Sequence, residues 1–359
     1  AACVLLLLGC KEPDDSEKLY DALKTAAARP PAAPVEEKRG GINPRLLRRF
    51  EPLRGQIESS DNPLTLAKVE LGRQLFFEKR LSGQQDLSCN SCHDLQHYGV
   101  DGQRTSAGAH GRLGSRNSPT VYNAAGFFAE FWDGRAGSVE TQAVGPILNP
   151  IEMALPNGEY AVRLLKSMPE YVSAFANAFP GEPEPVTFSN VGRAIGAFER
   201  KLTTPARWDD YLRGNENALS DRELEGLKIF TNIGCMVCHT GEFVGGSMYQ
   251  KVGVVEPWPN QKDQGRFETT KLDADRMMFK VPTLRNIAQT APYFHDGSVP
   301  TLSLAVRTMG KHQLGLELAD GEIAAIVAWL GSLTGELPQQ YVTPPSLPPS
   351  SAATPGPLP

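Results

Sequence analysis

Cysteine is scarce in this 359-residue chain, with six in all. Cys3 and Cys10 stand at the extreme N-terminus, and the other four fall into two close pairs. That leaves no set of cysteines from which a disulfide framework could be drawn across the body. Long apolar runs are missing as well. Past the first few residues nothing approaches the ~20 apolar residues that a membrane-crossing helix needs. There is no basic excess: 36 Lys and Arg against 41 Asp and Glu give a net charge of -5, which argues against nucleic acid as a partner. Period-two alternation is sparse, so little sheet is expected. What remains is a globular composition, 40% hydrophobic and 21% charged, in a chain long enough for two domains.

The two cysteine pairs carry the most information. Each is followed at once by histidine, as Cys89-Asn90-Ser91-Cys92-His93 and Cys235-Met236-Val237-Cys238-His239. In C-x-x-C-H the two thiols bond to the two vinyl groups of one haem, and the adjacent imidazole is placed to ligate the iron. A zinc site would need further cysteines to complete it, and a thioredoxin-like pair would not need the histidine. The chain therefore reads as a carrier of two covalently bound c-type haems.

The second axial position of each iron separates an electron carrier from a catalyst. For the second haem, Met309 is the favoured ligand and His312 its rival. For the first, the candidates are His97, His110 and Met153. His97 follows His93 too closely to reach the other side of the ring. His110 lies within Asp101 to Asn117, a loop with four glycines, which could both deliver an imidazole and withdraw it. Glu152 precedes Met153 in the segment corresponding to the one that bears Met309 in the second half. A carboxylate there points to acid–base chemistry above the first iron.

The body is internally duplicated. Leu71-Gly72-x-x-Leu75-Phe76, the first C-x-x-C-H, Pro119-Thr120-Val121-x-Asn123 and Phe131-Trp132-Asp133-Gly134 are answered in the same order. The counterparts are Glu225-Gly226-x-x-Ile229-Phe230, the second C-x-x-C-H, Pro282-Thr283-Leu284-x-Asn286 and Phe294-His295-Asp296-Gly297. The expected fold is mainly α, with two cytochrome c-like haem domains in tandem joined by long loops. Helices are expected over 64–79, 162–179 with a break at Pro169, 191–202 and 322–333. Ser220-Asp221-Arg222-Glu223 reads as a capping box. Residues 42–205 would form the first domain and 206–343 the second. Residues 1–10 read as the end of a lipoprotein signal peptide, with Cys10 the acylated residue, and the start of that signal is missing. Residues 11–41 read as an Ala/Pro-rich tether, and 344–359 as a disordered Pro-rich tail.

From about residue 62 to 335 the chain resembles the bacterial di-haem cytochrome c peroxidases. The stretches that carry the resemblance include Arg116-Asn117-Ser118-Pro119-Thr120, Phe131-Trp132-Asp133-Gly134-Arg135, Phe279-Lys280-Val281-Pro282-Thr283-Leu284-Arg285-Asn286, Thr290-Ala291-Pro292-Tyr293-Phe294-His295 and Met309-Gly310-x-x-Gln313-Leu314-Gly315. The resemblance implies a low-potential peroxidatic haem on His93 with His110 as its distal ligand, and a high-potential haem on His239 and Met309. It implies Glu152 as the catalytic carboxylate, Gln142 as its neighbour in the pocket, and Trp132 as the aromatic residue between the haems. It also implies calcium at Asn117, Thr290 and Pro292. The substrate would be hydrogen peroxide, the donor a small c-type cytochrome or cupredoxin, the assembly a homodimer and the location the periplasm. The loop Gly108-Ala109-His110-Gly111 is one residue longer than the family's shortest form. Two alternatives stay open: a di-haem oxidase of a protein side chain, which would carry Tyr in place of Met309 and lack His110, and a non-enzymatic electron-transfer or sensor cytochrome.

Overall fold

The computed structural model describes residues 41–359; the signal peptide and nearly all of the tether inferred from the sequence lie outside the described residues. The described chain is mainly helical. Its only paired strands are Tyr249–Lys251 and Met278–Lys280, antiparallel with Tyr249 opposite Lys280. No helix among the described residues is long and apolar enough to cross a membrane.

In the first half, α1 (Leu66–Phe76), α2 (Val139–Leu148), α3 (Gly158–Lys166), α4 (Pro169–Ala178) and α5 (Phe188–Glu199) surround one core. Helix α1 starts where the Thr65 hydroxyl accepts from the Lys68 amide, which satisfies one of the unpaired N–H groups of a first turn. The break expected at Pro169 separates α3 from α4, with the proline at the start of α4, where its missing N–H costs nothing. In the second half α6 (Asp221–Asn232), α7 (Leu302–Met309) and α8 (Asp320–Gly331) enclose a second core around Trp208, Trp329 and Phe230. The Ser220 capping box forms: the Glu223 carboxylate accepts from the Ser220 amide at 2.7 Å, and the Ser220 hydroxyl accepts from the Glu223 amide at 3.4 Å.

The duplication is visible in the packing. A Cβ on Gly72 would lie 1.9 Å from the Ala194 carbonyl oxygen of α5, and one on Gly226 would lie 1.9 Å from the Ala325 carbonyl oxygen of α8. Glycine at the matching place in each half therefore lets two helix backbones touch. After each C-x-x-C-H the chain makes the same turn. The Thr120 hydroxyl donates to the Tyr98 carbonyl and the Thr283 hydroxyl to the Phe243 carbonyl, both at 2.6 Å. Asn123 and Asn286 then adopt left-handed backbones, φ 63° and 61°.

Two boundaries differ from the expectation. Ile42, Leu47 and Phe50, assigned to the first domain, are buried in the second core. The tail expected to be disordered lies along the first half. Gln74 donates to the Ser346 carbonyl, Arg80 to Pro348, Gln85 to Pro355, and the Leu358 amide to Gly83. Proline leaves this tail few N–H groups for a ladder of its own, and its carbonyls accept from donors of the first half instead.

Charged side chains also join the halves. Arg116 pairs with Asp133 at 2.7 Å and with Asp263 at 2.6 Å, and buried Lys280 pairs with buried Glu130 at 3.3 Å.

Candidate haem and peroxide site

The second C-x-x-C-H opens onto one apolar cavity, whose lining includes Cys235, Cys238, His239 and Met309. The His239 Nδ1 lies 3.4 Å from the Val244 carbonyl. That engages one ring nitrogen and leaves Nε2 to act as a ligand. Burial pushes the His239 imidazole down to about 4, so the neutral, metal-binding form prevails near neutrality. Met309 packs with Trp132 and Phe294 against the small cluster of Val252, Trp258, Met277 and Phe279. The rival His312 is half-buried, with Nδ1 3.0 Å from the Glu256 carbonyl, and does not line this cavity. Two thiols, an imidazole and a thioether around one apolar space fit a covalently held haem.

The same cavity reaches toward the first half. Trp132 lines it and donates its indole N–H to the Asn117 carbonyl at 2.9 Å. Asn117, Thr290 and Pro292, the implied calcium positions, line it as well. The Asn117 amide nitrogen donates to the Gln103 carbonyl at 3.0 Å, so its amide oxygen is the end free for a cation. Among the described residues no cluster of three or more His, Cys, Asp or Glu side chains could hold a metal ion. A calcium site here would rest on carbonyl and amide oxygens, which suit that ion. His295 stacks on Phe279 at 4.1 Å between ring centroids, and its buried Nε2 has no protein partner.

At the first motif, Cys89–Cys92 is a single helical turn, and the His93 amide donates to the Cys89 carbonyl at 2.9 Å. The His93 Nδ1 lies 3.4 Å from the Gly99 carbonyl, repeating the geometry of His239. Burial lowers the His93 pKa too. Of the three candidate distal ligands, His97 is a surface residue paired with Asp94 at 2.7 Å, and Met153 is buried in the first core. His110 sits at φ 56° with its side chain exposed. Its loop is tied to the catalytic candidate, because the Ala109 amide donates to the Glu152 carbonyl at 2.7 Å. Gly108 permits that approach, since a Cβ there would lie 1.9 Å from the Ile151 oxygen.

The Glu152 carboxyl is raised from its ordinary value by burial, against the pull of Arg135 and a hydrogen bond from Asn149. Burial raises the Cys92 thiol, and the charge of Glu152 adds a smaller push in the same direction. Gln142 is half-buried on α2, four residues after Ser138, whose carbonyl accepts its backbone N–H. The Arg116–Asp263 and Glu130–Lys280 pairs carry no sequence signal, because each joins residues far apart in the chain with no local pattern to announce them.

A family profile described as di-haem cytochrome c peroxidase matches residues 66–217. The cytochrome c551 peroxidase of Nitrosomonas europaea is 47% identical over 289 residues, 80% of this chain and 85% of the relative. This chain belongs to the di-haem cytochrome c peroxidase family. The cytochrome c551 peroxidase of Pseudomonas aeruginosa is 44% identical over 86% of this chain and 90% of its own length. Among solved structures, a MauG-like protein associated with microbial copper homeostasis superposes with a TM-score of 0.69. It is 30% identical and covers 82% of this chain and 95% of its own. Membership in a di-haem family accounts for both C-x-x-C-H motifs.

Proposed function

We propose that this chain is a cytochrome c peroxidase that reduces hydrogen peroxide to water, taking electrons from a small c-type cytochrome or cupredoxin. The observation that carries the reading is the hydrogen bond from Ala109 to Glu152. It ties a glycine-rich histidine loop to the backbone of a half-buried glutamate whose charge is felt at Cys92, an arrangement for which a plain electron carrier has no use. The two haems, one per cytochrome c-like half, supply the electrons and the iron position at which peroxide is reduced.

The residues of the chain do the rest. One peroxide takes two electrons and two protons and leaves as two waters. Glu152 takes the proton from the near oxygen and returns it to the far one, so that the departing oxygen leaves as water. A carboxyl raised by burial suits this work, because burial makes it a better proton acceptor than an exposed carboxylate. Gln142 keeps the pocket polar. His93 and His239, each with Nδ1 facing a carbonyl, would each hold one haem iron. Met309 would be the second ligand to the iron on His239 and favour its reduced form, and His110 would be the withdrawable ligand to the iron on His93. Trp132, packed with Met309 and bonded to the Asn117 carbonyl, lies on the route between the halves. Calcium at Asn117, Thr290 and Pro292 would brace that route. The side-chain oxidase alternative is disfavoured by Met309 and by His110.

Export through the Leu7-Leu8-Gly9-Cys10 sequence would make the protein a periplasmic lipoprotein, and a homodimer is the expected assembly. The deciding experiment follows donor oxidation by the half-reduced, calcium-loaded protein. Two donor equivalents per peroxide, lost in Glu152→Gln, support the peroxidase. A first haem that stays low-spin after half-reduction, with no turnover, would instead mark an electron carrier.

A further inference from the structure

The turn Gly83-Gln84-Gln85 lies between three parts of the molecule that the proposed mechanism keeps separate. The Gln84 side-chain oxygen accepts the backbone N–H of His110 at 2.9 Å. The Gly83 amide donates to the Met153 carbonyl at 2.7 Å, one residue past Glu152. The turn is then held from outside by the C-terminal tail. The Leu358 amide donates to the Gly83 carbonyl at 2.7 Å, and the Gln85 amide nitrogen to the Pro355 carbonyl at 2.8 Å. Further back the tail is fixed at Ser167, which donates to Thr354 at 2.9 Å and whose carbonyl accepts from Ser351 at 2.7 Å. Leu358 also packs against the first core. Gln85 has φ 57°, so the turn holds a left-handed backbone that an unsupported glutamine rarely keeps.

We propose that Gln84 is a positioning residue for the His110 loop, and that the C-terminal strap, residues 344–359, sets its place. His110 is exposed and left-handed where Gln84 holds its amide. The latch therefore favours the imidazole turned away from the protein interior. Residues that touch neither peroxide nor iron would thus set how often the first haem is open. The inference rests on the reading of His110 as the withdrawable ligand.

The test uses the full-length di-haem protein with Gln84→Leu, Gln84→Glu and a truncation after Thr343. Two quantities are read: the high-spin fraction of the first haem after half-reduction, and hydrogen exchange of the peptide spanning 106–114. Gln84→Leu is expected to lower the ratio of high-spin to low-spin first haem by about threefold to tenfold, the worth of one hydrogen bond. It should speed exchange in 106–114 while leaving the second haem's spectrum unchanged. Gln84→Glu keeps an acceptor and should restore both readings. The truncation should move both in the same direction as Gln84→Leu, and Gln85→Ala gives the same test if the truncated chain folds poorly. A wild type that opens on half-reduction, with Gln84→Leu identical to it, overturns the latch alone. A wild type that never changes spin state overturns both the latch and the gating reading beneath it.

Discussion

Asn123 and Asn286 donate their side-chain amides to the same hydroxyl, Thr204 Oγ1, each at 2.9 Å. The two asparagines occupy matching places in the two halves, and Thr204 lies in the connection between them. Thr204 returns a backbone N–H to Asn123 Oδ1 at 3.1 Å, and Gly335 gives one to Asn286 Oδ1 at 2.9 Å. All three polar side chains are fully buried. A duplicated turn is thus fastened twice to one residue.

Thr204→Val keeps the shape and removes the oxygen, so two buried amide donors lose their partner. Each unmet group costs about 1–3 kcal/mol. The expected outcome is a loss of roughly 2–5 kcal/mol in urea unfolding, with both haems still attached. A loss under about 1 kcal/mol would mean that the asparagines find other acceptors.

The paired glycines make a second prediction. On an exposed helix, Gly→Ala gains up to about 1 kcal/mol. At Gly72 and Gly226 the sign reverses, because the new methyl meets the backbone of a facing helix. Gly72→Ala should loosen α1 and α5, and Gly226→Ala α6 and α8. Hydrogen exchange resolved by peptide reads this directly, and equal loosening of both halves by either variant would contradict it.

These elements were legible for local reasons. C-x-x-C-H, the Ser220 capping box and Pro169 at a helix start all act within a few positions. The mainly helical fold and the grouping of Cys235, Cys238, His239 and Met309 followed from them. What stayed hidden depends on distance along the chain. The Pro- and Ser-rich tail offers no core of its own, yet its partners Gln74, Arg80 and Gln85 lie at the other end of the sequence. Residues 42–50 pack on the second half through Ile42, Leu47 and Phe50, a tertiary contact that no periodicity reports. The Lys280–Glu130 pair and the contact of His110 with Gln84 are likewise products of tertiary folding.

Lys280 and Glu130 yield a pH-dependent stability. Burial pushes the Glu130 carboxyl up to about 7, against the pull of Lys280, and burial lowers the Lys280 ammonium. Glu199, fully buried nearby, is raised by burial and then by Glu130 and Glu140. A carboxyl raised on folding binds a proton more tightly in the folded state. Its contribution is therefore complete at acid pH, below the unfolded value, and falls as pH rises through about 7. Lys280→Met should cost about 3–5 kcal/mol at alkaline pH, where a buried carboxylate is left alone. The cost should be smaller near pH 5, where that carboxyl is protonated. Glu130→Gln with Lys280→Met should recover most of the loss, and urea midpoints at the two pH values check it.

Arg135 and Glu152 provide the sharpest test of the proposed chemistry. Arg135 is held by Asp133 at 2.9 Å and lies over the Phe131 ring at 3.4 Å from its centroid. From there its charge favours the ionised form of Glu152, while burial opposes it and prevails. The acid limb of kcat/KM for peroxide reports the free enzyme's base. It is expected above the usual carboxylate value of about 4.3. Arg135→Leu removes the stabilising charge, so the Glu152 carboxyl rises further and the acid limb moves to higher pH. The plateau at higher pH should change little, because Glu152 is ionised there in both proteins. High salt should weaken the difference between them, since Arg135 is partly exposed and its charge can be screened. An acid limb that stays in place in Arg135→Leu would separate Glu152 from the rate and move the proton-transfer role to another group.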